Sequence, residues 1–307
     1  MAEAAAPAPP KPAPKSTPAQ RAPGRDLPQP IDIEGSELVT KDGVALKATF
    51  YPSSRGKKAV PVILLHSWKG NRSDYWPLPV ALWEQGHAVL VPDLRGHGRS
   101  KLQYLGGTAR ELDAAKLAPA DFGAMVTQDM ETLKSFLLKK NNAGELNLEK
   151  LCIVGAEMGA SIALNWALTD WSWPQYPGFK QGQYVKGLVL LSPQRNLRGL
   201  TINAPLNSPL LNRGVSMMIL VGNEDAELLS QAQRIHTMLA RFHPVPAEGE
   251  EAKYQTLFFK GLDTKAQGAK LLGVRGLDVE GRIKKFIEIR LVNQDYPWME
   301  SGKKPGT

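Results

Sequence analysis

A chain of 307 residues with 42% hydrophobic residues can bury a large core, and its single cysteine excludes an intrachain disulfide. The formal net charge of +8 is spread thinly over pairs such as Lys57-Lys58, Lys139-Lys140 and Lys284-Lys285, with no run of five like charges. There is no focused patch or motif for nucleic acid, so no nucleic-acid partner is expected, and no apolar stretch reaches transmembrane length.

The first stretch, Met1 to Pro30, holds nine of the 24 prolines and only two large aliphatic residues, Met1 and Leu27. Such a segment cannot bury enough apolar surface to offset the entropy of ordering it, so residues 1–30 are expected to form a disordered Ala/Pro-rich tether. It lacks the apolar h-region of a signal peptide. Cytoplasm is therefore the default expectation, with export if an upstream signal precedes this chain. The folded domain is assigned to residues 31–292 and a C-terminal tail to residues 293–307.

Ile31–Val39 and Val44–Tyr51 read as strands joined at Lys41-Asp42-Gly43, where Asp-Gly favours a hairpin. Val60–Leu65 reads as a buried strand. Trp76–Glu84 reads as a helix that stops at Gly86. Ala88–Pro92 is the next strand. Asp121–Lys140 reads as a long amphipathic helix, with Met125, Met130, Leu133, Phe136 and Leu137 near one face. Leu151–Val154 is a strand and Met158–Leu168 a helix. Cys152 lies in that apolar run and reads as a buried, inert thiol. Val185–Leu191, Ser216–Val221 and Tyr254–Phe259 read as further strands. Helices are expected over Glu227–Arg241 and about Glu280–Arg290. Strands alternating with long helices give an α/β fold with a mainly parallel sheet, helices on both faces and an antiparallel edge. Ligands of such sheets bind at the carboxyl ends of the strands.

Three segments lie at those ends. The first is Leu64-Leu65-His66-Ser67-Trp68-Lys69-Gly70-Asn71, followed by Asp74-Tyr75-Trp76. The second is Pro92-Asp93-Leu94-Arg95-Gly96-His97-Gly98-Arg99-Ser100. The third is Ile153-Val154-Gly155-Ala156-Glu157-Met158-Gly159-Ala160. In this order and spacing the chain resembles the α/β-hydrolase superfamily, of the esterase, lysophospholipase and serine-aminopeptidase type, over roughly Ile31 to Leu291. The resemblance implies an α/β-hydrolase fold without a large lid domain. It also implies an oxyanion hole at Ser67, Trp68 and Met158, and a nucleophile elbow framed by Gly155 and Gly159.

The elbow's central residue should be Ser, Cys or Asp, and here it is Glu157. Val221-Gly222-Asn223-Glu224-Asp225 resembles the family's acid loop, with Asp225 at the acid position. Gln267-Gly268 stands in the slot of the family's His-Gly, and no histidine follows His243. Glutamine cannot take a proton from a nucleophile. Losing either Ser or His from a triad costs about 10⁶ in turnover. The expectation is a non-catalytic pseudo-hydrolase serving as a binding or interaction module for an unknown small molecule or protein, with no cofactor and no metal. Glu157, or Gln267 reaching toward it, is expected to fill the oxyanion hole.

The alternative is a hydrolase of esters, amides or halides with Glu157 as a non-standard catalytic carboxylate. It needs a base. Of the five histidines, only His66 and His97 fall at the carboxyl ends of strands. Ser192 lies on the same edge but lacks an elbow. Glu157 with Asp225 makes a thin cation site. The aromatic stretch Asp170–Gly178 reads as a packed loop or, less simply, a partner surface.

Overall fold

A computed structural model describes residues 27–177 and 179–302. The tether expected over residues 1–30 lies outside the described residues as far as residue 26, and so do residues 303–307.

The strands are β1 (Ile31–Ile33), β2 (Lys47–Tyr51), β3 (Pro61–Leu65), β4 (Ala88–Asp93), β5 (Leu102–Leu105), β6 (Thr108–Glu111), β7 (Leu151–Ala156), β8 (Val185–Leu191), β9 (Asn196–Leu197), β10 (Leu200–Thr201), β11 (Ser216–Gly222) and β12 (Leu257–Leu262). Eight of them form one sheet in the order β1-β2-β4-β3-β7-β8-β11-β12. β1 and β2 pair antiparallel, as do β2 and β4, and every later pairing is parallel.

The central strands are apolar throughout because both sheet faces are covered. Along β3, Ile63 and Leu65 enter one core layer while Val62 and Leu64 enter the other. That alternation follows from the two-residue period of a strand. The first layer is closed by the helices α2 (Pro119–Ala124), α3 (Met130–Asn142), α4 (Met158–Ser172) and α7 (Ala226–Ala240). The second is closed by α1 (Leu78–Glu84) and α9 (Val279–Ile287).

The helix expected over Asp121–Lys140 is split by a π-helical stretch, Met125–Asp129. It aims the Asp129 carboxylate at Arg95, a fully buried side chain that also pairs with Asp42. One guanidinium thus ties the loop after β4 to a helix and to the opening hairpin turn.

Two further expectations need correction. The last strand runs over Leu257–Leu262 rather than Tyr254–Phe259. Tyr254 instead ends the short helix α8 (Glu251–Tyr254), because Leu257 is the residue that pairs with Met217. The first strand is interrupted after Ile33 by a 3-10 turn at Ser36–Leu38. The β5–β6 hairpin was not foreseen, although Gly106 and Gly107, both at positive φ, are its signature.

Between β8 and β11 lie the β9–β10 hairpin and two short helices, α5 (Asn203–Asn207) and α6 (Pro209–Gly214), packed on α4. They do not make a large lid. Residues after Asn293 cross the end of α3, where the Trp298 indole donates to the Asn141 carbonyl at 3.2 Å and the Asn141 amide donates to the Met299 carbonyl at 2.9 Å.

Candidate active site

β7 leads straight into α4 through one residue, Glu157, with φ 47° and ψ −101°. Only tight glycine contacts permit the turn. A Cβ on Gly159 would lie 2.0 Å from the Leu65 carbonyl oxygen, and one on Gly155 would lie 2.4 Å from the Gly159 carbonyl oxygen. Glu157 is fixed by its own backbone. Its N–H donates to Leu191 at 2.9 Å, and its carbonyl accepts from Ala160 and Ser161. The side chain therefore stands above the carboxyl edge of the sheet.

The Ser67 hydroxyl stands beside the Glu157 carboxylate and favours its charged form. Burial raises the carboxyl pKa above the usual value, opposed by the Ser67 hydroxyl and by the charge of Lys270. Gly268, at φ 58°, lies directly over the pair. A Cβ there would meet Ser67 Oγ at 2.9 Å and Glu157 Oε1 at 3.0 Å. Among the described residues, the backbone N–H groups of Trp68 and Met158 donate no hydrogen bond to the protein.

Gln267 does not reach toward Glu157, which corrects the expectation that it fills the oxyanion position. Its Oε1 accepts from Ser192 Oγ at 2.6 Å and from the Gly222 N–H at 3.2 Å. Its Nε2 donates to the Gly222 carbonyl at 2.9 Å. Asp225 is likewise engaged elsewhere. It caps α7, with Oδ1 accepting from the Leu228 N–H at 3.0 Å. Glu157, Gln267 and Asp225 thus form no hydrogen-bonded relay among the described residues.

His66 and His97, the two candidate bases, are also corrected. Both are buried, and neither lines the cavity around Glu157. His66 Nδ1 donates to the Ser67 carbonyl at 2.8 Å, while its Nε2 accepts from the Leu94 N–H at 3.0 Å. His97 Nδ1 donates to the Arg95 carbonyl at 2.8 Å. Burial lowers both pKa values, that of His97 to about 4. They shape the loops after β3 and β4. Ser192 is fully buried at φ 50°, and its hydroxyl is taken by Gln267 and Gly268. Cys152 is buried with its pKa pushed up by desolvation. Among the described residues no group of three or more His, Cys, Asp or Glu side chains is arranged to hold a metal ion.

A cavity of about 630 Å³ opens over Glu157. Its walls come from the loop after β3 (Ser67, Trp68, Lys69) and the loop after β12 (Lys265, Gln267, Lys270). Three lysines around one cavity were missed in the sequence. The available signal was local: Lys265 and Lys270 bracket Gln267, and Lys69 follows Trp68. Arg198 stacks on the Trp68 ring, 3.4 Å from its centroid.

An eight-stranded, mostly parallel sheet with a glycine-framed strand-to-helix turn over an open cavity defines a hydrolase-type α/β protein. The chain belongs to the α/β-hydrolase fold family, whose sequence model matches residues 60–233, more than half of its length. It is similar to the uncharacterized protein YfhR of Escherichia coli, with 39% identity over 77 residues, 24% of this chain and 27% of that protein. It is also similar to YfhR of Salmonella typhimurium, with 27% identity over 140 residues, 45% of this chain and 41% of that protein. The matched region thus spans less than half the length of these relatives.

In shape the chain is similar to an esterase of Pyrococcus furiosus, with TM-score 0.55 and 16% identity over 86% of this chain and 93% of that one. It is also similar to a thermostable carboxyl esterase of Bacillus coagulans, with TM-score 0.54 and 14% identity over 86% and 98% of the two chains. At such identities these structures show the fold alone.

Proposed function

We propose that this protein is a non-catalytic member of its family that binds a small molecule in the cavity over Glu157. One observation carries the reading: among the described residues, no histidine lines that cavity. The residue in the base slot is Gln267, which has no site to accept a proton and whose amide is already committed to Ser192 and Gly222. A general base must stand within about 3 Å of the proton it removes. The unengaged N–H groups of Trp68, in the loop after β3, and of Met158, at the start of α4, would receive an electronegative ligand atom.

A second reading has its own support. The cavity is open, so Glu157 is accessible to an ester, amide or halide. The esterases of similar shape make an ester the first substrate class to try. The test is hydrolysis of short-chain nitrophenyl esters by wild type, Glu157→Gln and Glu157→Ser/Gln267→His. The expected result is background turnover in wild type and Glu157→Gln alike, with slight activity gained in the double variant. Clear wild-type turnover that Glu157→Gln abolishes overturns the proposal.

A further inference from the structure

The loop that would carry a histidine base carries two lysines instead, Lys265 and Lys270, on either side of Gln267. Across the cavity stands Lys69, held at φ 61°, a left-handed conformation that strains a non-glycine residue. All three lysines are exposed, and among the described residues none forms an ion pair. Lys69 Nζ lies over the Trp68 ring, 4.5 Å from its centroid, and Arg198 packs on the same ring.

The cavity wall also holds two carboxylates, Asp74 and Glu157, so the three lysines leave it with one net positive charge. Asp74 is fixed to its own loop, where Oδ2 accepts from the Asn71 N–H at 3.0 Å and packs against Gly70. Glu157 stands beside Ser67 at the cavity floor, where the charge of Lys270 acts on it. Like charges gathered around a concave surface raise the local potential and attract anions. At the floor the polarity is mixed. Glu157 offers an acceptor, while the Trp68 and Met158 N–H groups offer donors. A hydroxyl satisfies both, because it donates and accepts.

The geometry points to a small hydroxylated organic anion as the ligand, its phosphate or carboxylate held by Lys69, Lys265 and Lys270 and its hydroxyl seated between Glu157 and the two N–H groups. This deepens the binding reading above and rests on it. No bond is made or broken.

The test is calorimetric titration of the full chain with glycerol 3-phosphate and with glycerate, beside neutral glycerol and inorganic phosphate. Saturable binding of either organic anion is expected, the two arms separating phosphate from carboxylate recognition. Binding should weaken as salt rises, and by about tenfold or more in Lys265→Glu/Lys270→Glu. The salt series on wild type reads the charge contribution even where that variant folds poorly. Equal binding of glycerol, indifference to salt or the absence of binding by both organic anions overturns the inference. Inorganic phosphate binding as tightly as glycerol 3-phosphate overturns the role given to the hydroxyl. The parent reading fails by a different signal, ester turnover dependent on Glu157.

Discussion

Ser192 Oγ donates to Gln267 Oε1 at 2.6 Å and accepts from the Gly268 N–H at 2.9 Å. One buried hydroxyl thus fixes both halves of the Gln-Gly pair, and with them the loop that roofs Glu157. Ser192→Ala leaves the buried Gly268 N–H without its partner. Such an orphaned donor costs about 1–3 kcal/mol. Urea denaturation of the variant should show a loss of that size, with an unchanged slope.

Glu157 occupies backbone space that suits glycine, at φ 47°. Glu157→Gly should therefore stabilise the fold by about 1 kcal/mol, the lower end of the strain released. Thermal denaturation reads the gain. The charge adds a pH dependence. Burial raises the Glu157 pKa, so its contribution is present below the unfolded value and lost as pH rises through the folded one. Glu157→Gln should match wild type in acid and exceed it at neutral pH. A variant advantage that grows on acidification contradicts this.

Arg95 is 2% exposed and depends on Asp129, whose Oδ1 accepts from its Nε at 2.9 Å and its Nη2 at 2.7 Å. Removing one partner of a buried ion pair leaves an uncompensated charge, at a cost of about 3–5 kcal/mol. Asp129→Ala should lose about 3 kcal/mol, the lower end of that range, by chemical denaturation, because Asp42 still pairs with Arg95. Asp42→Ala should lose less, because Asp42 is only partly buried.

His97 should titrate near pH 4, well below an ordinary imidazole. Its folded pKa lies below its unfolded one, so its contribution to stability is complete above about pH 6.5 and is lost as pH falls through the folded value. Following the ring protons by NMR from pH 7 to pH 4 checks this. A midpoint above 6 would place His97 in contact with water, contrary to its burial.

Much of the architecture was legible in the sequence for local reasons. Val185–Leu191 is a strand within its expected bounds, because an apolar run of that length between turn residues has one buried use. The Gly155 and Gly159 frame announced a tight strand-to-helix turn, since a side chain at either site collides with backbone. The hairpin at Lys41-Asp42-Gly43 was readable from Asp-Gly, and Gly43 indeed lies at φ 85°. The end strand was harder. Tyr254 has high strand propensity, yet pairing starts only at Leu257, a register set by the neighbouring strand.

The sequence alone determined which elements form and which residues stand at the carboxyl ends of the strands, because hydrophobic period and turn chemistry act over a few residues. Only the tertiary structure decided what those residues touch. Gln267 was expected near Glu157, but Ser192 and Gly222 hold it aside. Lys69 and Lys265 are nearly 200 positions apart in the chain, yet they line one cavity. The loops that carry them converge there because the parallel strands ahead of those loops, β3 and β12, end on the same edge of one sheet. Side-chain partners across such loops follow from strand order and packing, and no local pattern encodes them.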